Sequence, residues 1–289
     1  MVNKFKRKYG FNVFSKQLEH QFEYASSIGI HHIEINLSSK ELSIEKFNDD
    51  KISKLCNLSK LYNVKLSFHI PYYINVSEML PYLKKSNISH LIKCIQIASK
   101  LLATHVTLHV GSFYWFPVEP WMRNKALKRF IKSMREIIKV CEKNDIIIAL
   151  ENVVPIPTGS DYYLLGDNIE DFKYIFLNIN SKYLKFCLDT GHANMGEGVL
   201  EYINNFKDEL CCVHYHDNNG KNDEHLAIGK GTVPWRELAE ELININYQGP
   251  IISECREIDA DNAAIIFEKY FSDSLSELNK NLNLDMIIS

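Results

Sequence analysis

The chain has 289 residues, of which 46% are hydrophobic and 24% are charged, and its formal net charge at pH 7 is -3. A chain of this length can build one large core, and α/β barrels commonly occupy about 250 residues as one domain. The balanced charge gives no general attraction to a polyanion, so a nucleic acid partner is a minority expectation.

The seven cysteines are odd in number, and several lie in apolar runs such as KFCLD and ELCCVHY. This placement favours small buried side chains, so we expect a reducing, cytoplasmic compartment. The basic start MVNKFKRKYG is not followed by the apolar stretch of a signal peptide. No window approaches the ~20 apolar residues of a membrane span, so we expect no membrane association.

Short β-rich runs alternate along the chain with longer segments of helical period. This alternation is typical of βαβ units in a parallel sheet. Eight strands are predicted: YGFNVF (9–14), HHIEINL (31–37), VKLSFHI (64–70), HVTLHV (105–110), IIIALEN (146–152), KFCLDTG (185–191), CCVHYHD (211–217) and PIISECR (250–256). The sequence therefore predicts a (β/α)8 TIM barrel, with residues 1–289 forming a single domain.

The segments between the strands carry helical periodicity. In NKALKRFIKSMREIIKVCEKN, apolar residues recur at steps of three and four and form one helix face. These residues are Leu127, Phe130, Ile131, Met134, Ile137, Ile138 and Cys141. A further helix is predicted over 260–275, and the tail 276–289 is expected to be loosely ordered.

Two long connections, GSFYWFPVEPW and VVPIPTGSDYYLLGDN, lack a regular pattern and follow the fourth and fifth predicted strands. Both follow strand C-termini, the barrel face that carries active sites. For the aromatic cluster of the first connection we favour a lid over the site, ahead of a subunit interface or buried loop packing. Its members are Phe113, Tyr114, Trp115, Phe116 and Trp121.

Carboxylate and imidazole side chains accumulate at the ends of the third to eighth predicted strands. They are His69, His109, Glu151, Asp189, His192, His214, His216, Asp223, His225 and Glu254. Any one of them alone is more often a hydrogen-bonded structural group or a solvated loop residue. A whole set converging on one axis is costly unless a metal or fixed partners compensate the charge. The joint pattern therefore predicts a functional site.

Carboxylates with neutral imidazoles, without cysteine, suit Zn²⁺, Mn²⁺, Co²⁺ or Mg²⁺ in an open catalytic site. On the seventh strand, His214 and His216 are two residues apart and point the same way, whereas Tyr215 points opposite. We favour His214 as the deeper ligand and place His216 behind it or against the substrate.

The segments LEN, CLDTGHAN, HYHDNNGKNDEHLAIGKGTVPW and ISE resemble the xylose isomerase-like barrel superfamily. This superfamily includes sugar and sugar-phosphate isomerases and epimerases, and apurinic/apyrimidinic endonucleases of the endonuclease IV type. The resemblance spans essentially the whole chain; the block ending GKGTVPW is its most specific part and the first strand its weakest.

The resemblance implies a ligand set for each branch. In the sugar branch, one divalent ion is held by residues that correspond to Glu151, Asp189, His214 and Glu254. The endonuclease branch adds ligands for a trinuclear zinc site, and His69, His109, His192, Asp223 and His225 match those positions. FHIPYYIN also resembles the endonuclease stretch, including Tyr72. One ion is therefore expected, with two or three as the alternative.

Other features argue against a DNA repair enzyme, because DNA binding neutralises several phosphates with lysine and arginine. The two long connections contain no basic residue and are aromatic and acidic, which suits a small enclosed substrate. Lys221 and Lys230 can meet a phosphate or carboxylate on such a substrate, although a solvated loop face is the commoner role.

The first hypothesis is a metal-dependent isomerase or epimerase of a sugar or sugar phosphate. Glu151 and Glu254 would act as acid and base across an enediolate that the metal stabilises. His192, His216, His225, Lys221, Tyr72 and Trp115 are the candidate substrate contacts. Epimerases of this branch often place an arginine after the seventh strand, and HDNNGKNDEH contains none.

The second hypothesis is zinc-dependent cleavage of a phosphodiester by an endonuclease IV type enzyme, with Glu151 bridging metals. It is supported by nine candidate ligands, more than one ion needs. A third class, a catalytically silent barrel that binds a metabolite or protein, is disfavoured because every ligand position of the sugar branch is filled. A homo-oligomer is a further expectation.

Overall fold

The computed structural model describes residues 5–14, 17–114, 119–157 and 159–288, and the side chains of 120 and 277–288 are left aside. Its strands are β1 (Lys8–Val13), β2 (His32–Asn36), β3 (Lys65–His69), β4 (His105–His109), β5 (Gly111–Tyr114), β6 (Ile147–Glu151), β7 (Tyr162–Leu165), β8 (Leu184–Asp189), β9 (Leu210–Tyr215) and β10 (Pro250–Ser253). Eight of them close into a parallel barrel in the order β1-β10-β9-β8-β6-β4-β3-β2. The (β/α)8 prediction is confirmed, and each predicted strand overlaps one barrel strand.

Helices connect the strands around the outside of the barrel. They are α1 (Leu18–Ser27), α2 (Asp49–Tyr62), α3 (Pro81–Lys100), α4 (Pro120–Asn144), α5 (Ile169–Asn178), α6 (Thr190–Met195), α7 (Val199–Phe206), α8 (Trp235–Asn244) and α9 (Ala260–Ile288). All seven apolar residues predicted to form one face of α4 are buried. The backbone of α9 runs to Ile288, through the tail expected to be loosely ordered.

Local sequence explains where several helices begin and end. Asn48 and Asn168 start α2 and α5, and each side chain accepts a hydrogen bond from a backbone N–H in the first turn. Asn63 and Asp145 end α2 and α4 in the left-handed conformation, which asparagine and aspartate tolerate better than most residues. These caps set where α2, α4 and α5 begin or end, and therefore the lengths of the adjoining connections.

Most barrel strands alternate an apolar outer residue with a polar or small inner one. On β2, Ile33 and Ile35 belong to the apolar core, whereas His32 and Glu34 join a buried polar network. Residues two apart on a strand share a face, so the lumen of the barrel is the polar face. Buried polar groups need hydrogen-bond partners, which makes the lumen the place where the site is built.

The two connections for which no regular structure was expected contain β5 and β7. These strands pair antiparallel outside the barrel, with Phe113 opposite Tyr163 and Tyr114 opposite Tyr162. Their rings stack in pairs, at centroid separations of 5.7 and 5.9 Å. The prediction missed this sheet because its partners are far apart in the chain. Throughout the described ranges, no helix is both long and apolar enough to cross a bilayer.

Candidate metal centre

The predicted ligand residues lie at the carboxyl ends of the barrel strands. His69, His109, Glu151 and Asp189 are the last residues of β3, β4, β6 and β8. His214 lies within β9 with His216 just beyond it, and Glu254 follows β10. Together with Asp223 and His225 from the loop after β9, these residues form three groups that are in contact with one another. The groups are centred on Glu151, Asp189 and Asp223.

The Glu151 group joins three histidines to one buried carboxylate. Oε2 of Glu151 lies 3.0 Å from Nε2 of His69 and 2.9 Å from Nε2 of His109. Oε1 lies 3.1 Å from Nδ1 of His214. The same Nδ1 lies 3.3 Å from Oε1 of Glu254, which also accepts a 3.0 Å hydrogen bond from Asn12. Two predicted catalytic carboxylates therefore approach one imidazole nitrogen.

The second group is centred on Asp189, which is also the N-cap residue of α6. One oxygen of Asp189, Oδ1, accepts the backbone N–H of His192 at 2.7 Å and lies 3.1 Å from Nε2 of His216. The amide of Asn152 bonds both the N–H and the carbonyl of Asp189, at 2.8 and 2.9 Å. The carbonyl of Asn152 lies 2.9 Å from Nδ1 of His192. Asn152, the last residue of the LEN motif, thus positions this group, a role that the sequence analysis missed.

The Asp223 group lies in the loop after β9. Oδ2 of Asp223 lies 3.1 Å from Nε2 of His225 and 3.8 Å from Nε2 of His192. Oδ1 lies 3.7 Å from Nε2 of His216, whose ring stacks on His225 at 3.9 Å. His225 adopts a positive φ of 53°, uncommon for a residue other than glycine, and its Nδ1 lies 2.9 Å from the carbonyl of Glu254.

The carboxylate of Asp217 stabilises the loop that contains Asp223 and His225. It accepts hydrogen bonds from Trp235 Nε1 at 2.8 Å, Gly229 N at 2.8 Å and Val233 N at 3.1 Å. Gly229, Val233 and Trp235 belong to the segment GKGTVPW and its flanks. The last seven residues of the most specific motif, GKGTVPW, therefore stabilise the loop, while the candidate ligands lie earlier in the same motif.

A carboxylate that the strand-end search missed lies deeper in the barrel. Glu34, in the middle of β2, is fully buried and its Oε2 lies 3.0 Å from Nε2 of His214. Its Oε1 accepts hydrogen bonds from Ser67 at 3.1 Å and Thr107 at 2.9 Å. An isolated charge between Ile33 and Ile35 in HHIEINL was the signal that could have found it.

The electrostatics of the metal-free site follow from these pairs. Burial raises the pKa of Glu151, but His214, His109 and His69 outweigh burial and hold the pKa well below its usual range. Burial lowers the pKa of His69, whereas the charge of Glu151 raises it to about 9. Carboxylate and imidazolium therefore stabilise one another, and a cation can replace the imidazolium protons.

The Asp189 group behaves in the same way. Burial raises the pKa of Asp189, yet His192 and His216 lower it to about 2. Burial lowers the pKa of His192, yet Asp189 and Asp223 raise it to about 10. Perturbed titration of several clustered groups is typical of functional sites.

Buried atoms without a hydrogen-bond partner test whether a metal ion fits. Oδ2 of Asp189 and Nδ1 of His216 are buried without such a partner among the described residues. In the ranges that the structure describes, five sets of three donor atoms lie within 4.8 Å of one another. Three of them come from His69, Glu151 and His214, from Asp189, His192 and His216, and from His216, Asp223 and His225. A fourth joins Glu34, His214 and Glu254, and the fifth joins Cys187, Cys212 and His214. Nitrogen and oxygen donors at such spacing suit Zn²⁺, Mn²⁺ or Co²⁺, so the residues fit a divalent metal.

The remaining site predictions have different outcomes. The shared orientation of His214 and His216 is confirmed, since both contact lumen carboxylates while Tyr215 packs on Phe267. In the contacts, His216 lies beside Asp189, whereas His214 lies beside Glu151 and Glu254.

Among the outer substrate candidates, Lys221 and Tyr72 are exposed, and Tyr72 stacks edge-to-face on Tyr73. Trp115 and Phe116 lie outside the described residues. Tyr114 and Trp121 are exposed and line a cavity of about 330 Å³ with Met79 and Leu80.

Comparison with known proteins identifies similar chains. Residues 22–270 match the family model described as xylose isomerase-like TIM barrel. An uncharacterized protein of Methanocaldococcus jannaschii is 31% identical over 226 residues, covering 76% of this chain and 74% of that one. A probable endonuclease 4 of Ureaplasma parvum is 28% identical over 240 residues, 76% of this chain and 73% of that one. A solved structure of a D-tagatose 3-epimerase-like protein superposes with a TM-score of 0.81 at 25% identity, covering 94% of this chain and 99% of that one.

Proposed function

Because the chain belongs to the xylose isomerase-like TIM barrel family, we propose that it is a divalent-metal-dependent isomerase or epimerase of a sugar or sugar phosphate. One observation carries the proposal. Glu151 at the end of β6 and Glu254 after β10 both approach Nδ1 of His214, at 3.1 and 3.3 Å. Two carboxylates around one point are the arrangement that proton transfer between neighbouring carbons requires.

The residues that would hold the ion are Glu151, Asp189, His214 and Glu254, with His216 as a further donor beside Asp189. When bound, the ion supplies a positive charge that polarises a substrate carbonyl and stabilises the enediolate. The likeness to a D-tagatose 3-epimerase-like protein supports this choice of chemistry.

The two carboxylates differ in their surroundings, and this separates their roles. The side chain of Glu151 is 1% exposed and held by three histidines, whereas that of Glu254 is 12% exposed. Glu254, the more exposed of the two, would take the α proton. Glu151 returns a proton to the neighbouring carbon or to the opposite face, drawing on the imidazolium groups around it.

His192 and His225, whose side chains are 12% and 11% exposed, are suited to bind substrate hydroxyl groups at the outer side of the site. We retain Lys221, which is exposed, as a candidate contact for a phosphate or carboxylate of the substrate. Phe113 and Tyr114 of the proposed lid lie on β5, which pairs with β7. Closure of such a lid would exclude water from the enediolate.

A second candidate, zinc-dependent phosphodiester hydrolysis of the endonuclease IV type, is favoured by a specific observation. His69 and His109 both contact Oε2 of Glu151, and Asp223 lies between His225 and His192. These donors exceed what one ion needs. The likeness to a probable endonuclease 4 points the same way.

Metal analysis of protein purified without added metal, combined with two activity assays, distinguishes the candidates. The first proposal predicts incorporation of solvent deuterium at the reacting carbon of a ketose or ketose phosphate. Incision of abasic duplex DNA at moderate salt, together with about three zinc ions per chain, would replace it by the second. Deuterium incorporation that survives complete chelation would contradict both.

A further inference from the structure

We propose that Glu34 is a positioning residue for His214, whose ring it holds through Nε2 so that Nδ1 faces the metal centre. The inference rests on the proposed function in one respect, namely that His214 acts as a metal ligand. Glu34 itself contacts the opposite edge of the imidazole and is not required to touch ion or substrate.

The two nitrogens of His214 face different partners. Nε2 lies 3.0 Å from Oε2 of Glu34, whereas Nδ1 lies 3.1 Å from Glu151 and 3.3 Å from Glu254. His214 and Glu34 are both fully buried. No hydrogen bond of normal angle reaches Nε2 within the described part of the chain, so the contact with Glu34 is an ion pair. Its effect therefore depends on the charge of Glu34.

Glu34 is itself fixed from three neighbouring strands. Ser67 on β3 and Thr107 on β4 donate to its Oε1 at 3.1 and 2.9 Å, and Asn12 on β1 lies 3.4 Å from its Oε2. Nε2 of His32 lies within hydrogen-bond distance, 2.9 Å, of Oγ of Ser67. With Oε1 held by two hydroxyl groups, Oε2 is left to face His214.

A carboxylate behind a ligating imidazole orients the ring, selects which nitrogen carries the proton and makes the other nitrogen a better donor to a metal ion. Here the charge of Glu34 faces Nε2 of His214 and leaves Nδ1 for the ion between Glu151 and Glu254. Without the carboxylate, the ring loses the charged partner that fixes this orientation.

The first test measures metal affinity, by competition for Zn²⁺ or Mn²⁺ with a chromophoric chelator. Glu34→Gln keeps the shape but removes the charge, and we expect its affinity to fall by about 10- to 100-fold. Ser67→Ala removes one of the two hydroxyl groups that hold Oε1, while Thr107 keeps the other. Its affinity should therefore fall less than that of Glu34→Gln. Equal affinities of wild type and Glu34→Gln would overturn the proposal.

The second test separates this inference from the proposed function. It compares crystal structures of the metal-free proteins. In the wild type, Nε2 of the His214 ring should face Glu34 and Nδ1 should face Glu151 and Glu254. In Glu34→Gln the ring should turn or shift from this position, because the charge that holds Nε2 is gone. If the wild type binds neither metal, the proposed function fails and the ring position alone decides the role of Glu34. An unchanged ring position in Glu34→Gln would then refute it.

Discussion

The backbone of Gly191 lies directly against the imidazole ring of His216, so closely that a Cβ atom at position 191 would overlap the ring. Gly191 follows Asp189 by two residues in the first turn of α6, and His216 contacts Asp189 at 3.1 Å. The absence of a side chain at one position thus allows a fully buried histidine to reach its carboxylate.

Gly191→Ala should displace His216 from Asp189 and weaken metal binding by about tenfold or more, while the protein still folds. The added methyl group overpacks a rigid site, which costs about 1–3 kcal/mol of stability. Isothermal titration with Zn²⁺ or Mn²⁺ and urea unfolding measure the two effects. Thr190→Ser, which keeps the hydroxyl bonded to the carbonyl of His216, is the control. Unchanged metal affinity in Gly191→Ala would show that His216 is no ligand.

Glu254→Gln should lower turnover by about 10²- to 10⁴-fold, because the amide cannot accept a proton. The change is nearly isosteric, and the amide can still accept the hydrogen bond from Asn12. The melting temperature should therefore stay close to that of the wild type. Steady-state rates and thermal unfolding are measured on the same preparations. Unfolding of the variant would assign Glu254 a structural role.

The metal-free protein should lose stability as the pH rises above neutrality. The pKa values of His69 and His192 are raised to about 9 and about 10, above the value of about 6.5 in an unfolded chain. Their contribution to the free energy of unfolding is thus complete below about pH 6.5 and is lost as the pH passes through about 9–10.

Asp189 acts at the acid end, since its pKa of about 2 lies below the unfolded value of about 3.9. Its contribution is present above about pH 3.9 and is lost as the pH falls toward about 2. Urea unfolding of chelator-treated protein from pH 3 to 10 should therefore show a maximum in the mildly acid range. His192→Asn should flatten the alkaline side. A free energy that is constant between pH 6.5 and 9.5 would contradict the prediction.

Arg123→Met should destabilise the protein by about 3 kcal/mol, because it leaves a buried carboxylate without its cation. Arg123 of α4 bonds both oxygens of Asp171 on α5, at 2.9 and 2.6 Å, and also contacts Asp167. Asp171 in turn accepts the N–H of Gly166 at the end of β7. Urea unfolding measures the loss, and Arg123→Lys, which keeps the charge, should lose less. A change below about 0.5 kcal/mol would mark a solvated surface pair.

The barrel was predictable from the sequence because each strand is a local pattern. The runs HHIEINL and KFCLDTG alternate apolar with polar or small residues, and a period of two places the apolar set against the outer helices. The sheet of β5 and β7 was not predictable in the same way. Its pairing of Gly111 with Leu165 joins residues of two separate connections, and no local pattern encodes that contact.

The site shows the same division. The sequence by itself determined that carboxylates and histidines stand at the ends of strands, since strand position is a local property. Only the tertiary structure decided which atoms meet: His214 with Glu34, Glu151 and Glu254, and Asp189 with His216 beside Gly191. The physical reason is that barrel closure brings neighbouring strands together in a fixed register, and register sets which side chains share a level in the lumen.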